Sequence, residues 1–226
     1  MINRHQVTPN TVGLWQFDGD LTDSSGNGYD LSVFTGQEEY SEVWPGVQAL
    51  YLRRLRTILY HNVTGTSLKI LGDMTIEMIV NINADWPFGY SEFVSFGAAG
   101  ESSDTNYAYL VYLTGESTHW FQEYGSGSDV DADLAVAFPG QICHLAFTRR
   151  SSVVRCYCNG ILRSTTSALT DPTDCSNSVF WVGGPGSYYP PDCVLTSLKI
   201  LDTGLLDNEI QDEYNYTLGD TFGKIT

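Results

Sequence analysis

The chain has 226 residues, enough for one large β-domain whose core needs no covalent or metal staples. Aromatic residues make up 13% and charged residues 17%, with 22 glycines, a mixture that suits strands and turns rather than helices. The net charge is −16 and no Lys or Arg occurs between Lys69 and Arg149, which argues against nucleic acid and membranes as partners and is compatible with neutral glycans, cations or a basic protein.

Residues 1–11 read as a polar N-terminal arm or a first edge strand, and residues 12–226 as a single domain without internal repeat or linker. The segment VGLWQFDGDLTDSSGNGYDLS (12–32) begins as a short apolar strand through Val12, Leu14, Trp15 and Phe17. It then enters a loop of Asp, Asn, Ser and Gly, residues that supply positive φ and side-chain-to-backbone bonds. Residues 33–46 read as strand, acidic loop and turn, and residues 49–62 (ALYLRRLRTILYHN) as two strands about a bend. Residues 75–82 alternate as a strand with one core-facing side. Residues 106–113 form another strand, paired with 118–124 across 114–117, and GSGSDVDAD (125–133) is an acidic loop. Asn159-Gly160 is the strongest hairpin signal, because a type I′ turn wants positive φ at both central positions. Residues 207–214 are the one credible helix, with Asp207 as N-cap.

These segments carry a resemblance. GLWQFDGDLTDSSGNGYDLS looks like the opening of a laminin-G-like, concanavalin A-like jelly-roll domain. MTIEMIV (74–80), CHLAFTRRSSVVRCYCNGILRS (143–164), VFWVGG (179–184) and TSLKILDTGLLDNEI (196–210) resemble the family's later strands, hairpin and short terminal helix, in the same order. The resemblance implies an all-β, two-sheet antiparallel sandwich with one short C-terminal helix. The family is functionally broad and includes carbohydrate-binding modules and phage virion proteins.

Five cysteines are present, Cys143, Cys156, Cys158, Cys175 and Cys193, and no apolar segment follows Met1. Buried free thiols are the simplest account. Cys156 and Cys158 stand two apart on a strand and share a face, so they are poorly placed to bridge each other. The pair Cys143-His144 lacks the second ligand pair that a zinc site needs. No apolar run is long enough to span a bilayer.

Asp18, Asp20, Asp23, Asn27 and Asp30 offer hard oxygens within a dozen residues, as calcium requires. The resemblance implies a distal carboxylate partner as well, yet Thr196 and Ser197 stand where relatives often carry an Asp-Glu pair. The loop therefore reads as a turn held by Asx-type bonds, with calcium as the alternative and no cofactor required. Asp129-x-Asp131-x-Asp133 resembles half an EF-hand loop but has Leu134 where Gly is needed and Gly140 where the closing Glu belongs, so it reads as a solvated loop. Loop aromatics Trp86, Phe88, Tyr90, Trp120, Tyr124, Tyr188 and Tyr189 are candidates for glycan or partner contact. Arg53, Arg54 and Arg56 form the one dense basic cluster, available for docking or for pairing with the chain's own acids. No run of alternating acids of the glucanase kind occurs, and no nucleophile elbow, zinc-protease or phosphate-loop motif.

These features together lead to the expectation of a non-enzymatic virion protein, made in the host cytoplasm and displayed as a capsid decoration or tail-associated protein. Its partners would be other virion proteins and glycans, and it could assemble as a homo-oligomer. A secreted, extracellular carbohydrate-binding module or adhesin is the alternative, and a polysaccharide-degrading jelly-roll enzyme the second alternative.

Overall fold

Residues 2–8 carry no regular secondary structure and lead through a turn at 9–10 into strand β1 (Thr11–Trp15). The structure, a computed structural model, describes residues 2–53, 57–62, 68–83, 91–97, 107–114, 118–122, 124–125, 128–129, 132–135, 140–167, 179–184 and 190–222. The opening loop connects β1 to β2 (Ser32–Gly36), followed by β3 (Tyr40–Trp44), β4 (Val47–Leu52) and β5 (Thr57–Asn62). Then come β6 (Met74–Ile82), β7 (Ser91–Gly97), β8 (Tyr107–Thr114), β9 (Thr118–Gln122), β10 (Tyr124–Gly125), β11 (Ser128–Asp129) and β12 (Ala132–Ala135). The chain closes with β13 (Ile142–Arg150), β14 (Val153–Cys158), β15 (Ile161–Ser167), β16 (Val179–Val182), β17 (Cys193–Leu201) and two helices, α1 (Asp207–Thr217) and α2 (Gly219–Phe222).

Two antiparallel sheets form the sandwich. The first runs β15-β14-β13-β6-β17-β4-β3, with β1 also paired to β17. The second runs β12-β9-β8-β7-β16-β5-β2, and β10-β11 is a separate two-stranded ladder. The bend read between residues 49 and 62 is where the chain passes from one sheet to the other, since β4 and β5 lie in different sheets. Alternate residues of the first sheet, among them Met74, Ile76, Met78, Val80, Leu145 and Phe147, meet Phe93, Phe96, Tyr109, Val111, Phe180 and Val182 of the second in one core. Trp15 is fully buried in that core, stacks on Phe180 with ring centroids 5.0 Å apart, and donates its indole N–H to the Tyr29 carbonyl at 2.9 Å. The β14–β15 hairpin turns at Asn159 (φ 52°) and Gly160 (φ 72°), as the Asn-Gly pair requires. Cys143, Cys156, Cys158 and Cys193 are free thiols buried in the same core; Cys175 lies outside the described residues.

Two expectations change beside the first sheet; two others change in the elements themselves, since residues 125–133, read as an acidic loop, supply β11 and parts of β10 and β12, and a second helix, α2, follows the one expected. Strand β6 is buried on both faces rather than one: Thr75, Glu77 and Ile79, the outward set, are each 0% exposed. The cause is a cover over the outer face of the first sheet. Ile2 of the arm packs with Ile79, Tyr214 and Leu218, while Ile210 of α1 packs on Ala146 and Tyr157. The arm is clamped by Asn3 N–H donating to the Thr217 carbonyl and the Asn3 side-chain amide donating to the Tyr216 carbonyl. The second change is at the start of α1, whose N-cap is Leu206 rather than Asp207. Glu209 accepts from the Leu206 N–H at 2.7 Å, and Asp207 is occupied as the acceptor of the Tyr157 hydroxyl at 2.8 Å. No helix among the described residues is long and apolar enough to cross a membrane.

Gly13 is fixed by close approach. A Cβ placed there would lie 2.5 Å from the Trp15 ring, so a side chain at this position displaces a fully buried tryptophan of the core. We expect Gly13→Ala to destabilise the domain by about 1–3 kcal/mol, read as a lowered denaturant midpoint at unchanged slope.

Candidate functional site

The opening loop folds around one carboxylate. Asp23 is buried and accepts from the Leu14 N–H (3.0 Å) and Ser25 N–H (2.9 Å) through Oδ1, and from the Tyr29 N–H (3.0 Å) and Ser25 hydroxyl (2.7 Å) through Oδ2. Asp30 accepts from the Asp23 N–H and Asp20 from the Thr22 N–H, while the Asn27 amide donates to the Val12 carbonyl at 2.8 Å. Asp18 pairs with Arg4 at 2.6 Å, and that hydrogen bond holds its carboxyl below the usual range. Of the residues that read as a calcium alternative, Asp20, Asp23 and Asp30 thus act as acceptors for the loop's own backbone, in the manner of Asx turns, while Asn27 donates and Asp18 pairs with Arg4. Among the described residues, Asp18, Asp20, Asp23 and Asp30 do not bring ligand atoms together as a group of three.

Other candidates separate. Arg53 stands over the Tyr51 ring at 4.7 Å and pairs with Glu39 at 3.2 Å, so it is matched by one of the chain's own acids. Arg54, Arg56, Trp86, Phe88, Tyr90, Asp131, Tyr188 and Tyr189 lie outside the described residues, as do the side chains of Trp120, Tyr124, Asp129 and Asp133. On the second sheet, half-exposed Phe34 meets Trp181 and Tyr60 edge to face at 5.1 and 5.7 Å. That patch is aromatic but brings few polar groups to one point.

A cleft of about 220 Å3 on the outer face of the first sheet does bring them together. It is lined by Tyr51, Asn81, Asn83, Gly140, Cys193 and Val194. The register makes Tyr51 of β4, Val194 of β17 and Asn81 of β6 lateral neighbours on three adjacent strands. Asp192, at the end of the cleft, is hydrogen-bonded to the Tyr51 hydroxyl; burial first, and this bond second, push the Tyr51 pKa up. The Asn83 N–H donates to the Asp192 carbonyl at 2.9 Å, which fixes that corner. Asn81 Oδ1 and Asp192 Oδ1 are buried acceptors with no partner. The site thus offers one aromatic ring and an amide acceptor on strands of one sheet, with a carboxylate acceptor beside them in the bend that precedes β17. Sequence reasoning passed over these residues because 30 to 111 positions separate Asn81 from its partners in the chain. The one local signal is that Glu77 and Asn81 are the only non-hydroxyl polar residues in β6.

The same outer face carries a buried polar cluster. Glu77 of β6, His144 of β13 and Lys199 of β17 are each 0% exposed, and His5 of the arm is 2% exposed. Lys199 Nζ lies 3.0 Å from Glu213 of α1 and 3.6 Å from Glu77, while His144 Nε2 lies 3.4 Å from the other Glu77 oxygen. Burial alone would raise the Glu77 pKa, but His144, His5 and Lys199 outweigh it and hold the carboxyl below the usual range. Burial lowers the His5 pKa to about 3. His144 faces away from the core in which its neighbour Cys143 is buried and meets His5 instead, with ring centroids 5.6 Å apart.

Two outcomes follow from these contacts. Asp23→Ala strands four donors and is expected to cost about 3 kcal/mol or more in chemical denaturation, equally in calcium and in chelator. Lys199→Met leaves Glu77 and Glu213 without their shared cation and is expected to cost about 3–5 kcal/mol, much of it regained in the Glu77→Met/Lys199→Met double variant.

A family model described as the concanavalin A-like lectin/glucanases superfamily, of laminin-G type, matches residues 59–211. No curated protein sequence matches. Among solved structures, domain 4 of AbnA, a GH43 extracellular arabinanase from Geobacillus stearothermophilus in complex with arabinotriose, is similar at 18% identity and TM-score 0.70, over 91% of this chain and 98% of that one. The binding domain of botulinum neurotoxin DC in complex with SialylT is similar at 14% identity and TM-score 0.70, over 92% of this chain and 51% of the toxin chain. A botulinum neurotoxin type C structure, titled for cell entry dependent on two ganglioside molecules, is similar at 14% identity and TM-score 0.71, over 91% of this chain and 51% of that one. This chain therefore spans about half of the toxin chains it resembles and nearly all of the arabinanase domain. At these identities the structural likeness speaks for the fold, the jelly-roll sandwich that the strand order already displays. With more than half its length matched, the chain belongs to the concanavalin A-like lectin/glucanases superfamily.

Proposed function

We propose that the domain is non-enzymatic and binds a neutral oligosaccharide in the cleft formed by Tyr51, Asn81 and Asp192. The observation that carries this reading is a pair of unpartnered buried acceptors, Asn81 Oδ1 in the lining of the cleft and Asp192 Oδ1 on the residue bonded to Tyr51 and Asn83 of that lining. Sugar hydroxyls donate to amide and carboxylate oxygens, and the apolar face of a pyranose or furanose packs on a ring; a hydroxyl group of this kind resolves the cost of a buried acceptor left unmade. The family to which the chain belongs includes sugar binders and glucanases, and AbnA domain 4, matched over 98% of its length, was solved with arabinotriose.

Binding is favoured over cleavage by the charge inventory. Hydrolysis of a glycosidic bond by the usual route needs two carboxyl groups facing each other across the substrate. Among the described residues at this cleft, Asp192 is the one carboxylate. A neutral ligand is favoured because the chain carries a net charge of −16 and Arg53, the cation nearest the ring, is already paired with Glu39. The matches described above lend the virion setting no support, and the proposal is confined to the binding activity.

A neutral-glycan array followed by calorimetry, with arabino-oligosaccharides among the first probes, checks the reading. Asn81→Ala and Asp192→Ala are each expected to weaken binding about tenfold, the loss of one or two hydrogen bonds, with no sugar product released by the unaltered protein. An array without a neutral binder, or affinity indifferent to all changes at Tyr51, Asn81 and Asp192, would reject it.

A further inference from the structure

The cluster of His5, Glu77 and His144 has the composition of a metal centre. One ligand-type atom from each residue lies within 4.8 Å of the others, and among the described residues this is the one group of three side chains that meets that condition. The three side chains come from the N-terminal arm, β6 and β13, and all are buried. His5 Nε2, both ring nitrogens of His144 and both oxygens of Glu77 have no hydrogen-bond partner. Buried polar atoms are almost always partnered, so five such atoms on three neighbouring side chains, one from each within reach of the others, call for an explanation.

The surrounding contacts are those that orient ligands. Ser197 Oγ lies 3.0 Å from His5 Nδ1, which settles that nitrogen and leaves Nε2 directed at the cluster. Lys199 Nζ holds one Glu77 oxygen at 3.6 Å, and the other oxygen faces His144 at 3.4 Å. Lys199 is itself held by Glu213 at 3.0 Å. A metal-bound histidine is commonly fixed through its second nitrogen, and a metal-bound carboxylate through its second oxygen, in this way.

We propose that His5 Nε2, His144 and Glu77 bind one divalent transition-metal ion of the zinc class, which fastens the N-terminal arm to the outer face of the first sheet. Two imidazoles and one carboxylate suit zinc, whereas calcium and magnesium want all-oxygen sets. Ligands about 2.0–2.1 Å from one ion stand closer together than these three do, so binding draws the cluster inward. The arm backbone is held on either side of His5 and at its carbonyl, so the approach falls to the His5, His144 and Glu77 side chains. Entry is available beside α1, where a groove of about 410 Å3 is lined by Gln6 of the arm and by Glu209, Asp212 and Glu213. Its carboxylates concentrate cations, and Glu213 belongs both to the groove and to the Lys199 ion pair.

The test uses the full chain, stripped with a chelator, shown to be folded by near-ultraviolet circular dichroism, and then titrated with zinc and with cobalt(II). The expected result is one ion per chain and, at about a hundredfold excess of free zinc over its dissociation constant, a rise in melting temperature on the order of 5 °C. Ser197→Ala, which frees the second nitrogen of His5, should weaken zinc by about tenfold or more. His5→Ala, a change on the arm outside both sheets, should abolish stoichiometric uptake while the sandwich stays folded. Failure of the folded, stripped protein to take up either ion overturns the proposal. So does unchanged uptake in His5→Ala, or a sulfur-to-cobalt charge-transfer band, which would place the ion on cysteine.

Discussion

The outer face of the first sheet depends on a change of phase in strand β17. A regular strand places residues 193, 195, 197 and 199 on one face, which would send Ser197 and Lys199 into the apolar core and turn Leu198 and Ile200 outward. The pairing with β6 shifts between Leu195 and Ser197, with Leu195 opposite Val80 and Ser197 opposite Ile79, so Thr196 is the extra residue of a β-bulge. Cys193, Leu195, Leu198 and Ile200 then all join the core, while Ser197 meets His5 and Lys199 meets Glu77 and Glu213. One inserted residue in a central strand thus keeps the core apolar and delivers a cation and a hydroxyl to the opposite face.

That delivery shapes how the C-terminal helix and the arm sit. A lysine on an open sheet face would be a solvated surface charge; under α1 it becomes the shared counter-ion of two carboxylates on different elements. Its surroundings are apolar, with Ile2, Ile79, Tyr214 and Leu218 packed alongside, so each charge interacts strongly and each unmatched charge is costly. The polar contacts therefore specify where the cover docks, and the apolar contacts supply the burial that holds it there. The arm is bound at both levels: Ile2 packs with Tyr214 and Leu218, Asn3 bonds to the end of α1, and the carbonyl of His5 accepts from Gln16 at 2.8 Å.

What was legible in the sequence is what depends on near neighbours. Asn159-Gly160 declared its hairpin because positive φ is a property of the two residues themselves. The loop from Asp18 to Asp30 declared a turn because short polar side chains bond to backbone a few positions away, and Asp23 does so three times. The helix read over 207–214 forms there and runs on to Thr217, but its cap differs, because the competing bond to Asp207 comes from Tyr157, fifty positions earlier. The burial of both faces of β6 was hidden for the same reason: Glu77 reads as a solvent-facing residue until α1, the arm and β17 are brought over it. Thr196 and Ser197 were noticed for the carboxylates they replace; their structural role, the bulge, is visible only once the partner strand is in register.

The cleft inherits its rigidity from this arrangement. Glu77 and Asn81 are four residues apart on β6 and so project from the same face, one beneath the cover and the other beyond it at the cleft. Val194, on the other side of the bulge from Lys199, occupies the place between Asn81 and Tyr51. A recognition site drawn from adjacent strands has its groups positioned before a ligand arrives, so little ordering entropy is lost on binding and a few hydrogen bonds suffice for useful affinity. The converse also holds. Groups this firmly placed cannot adapt to many ligands, so a ligand of the proposed kind must bring its hydroxyls to Asn81 Oδ1 and Asp192 Oδ1 where they stand.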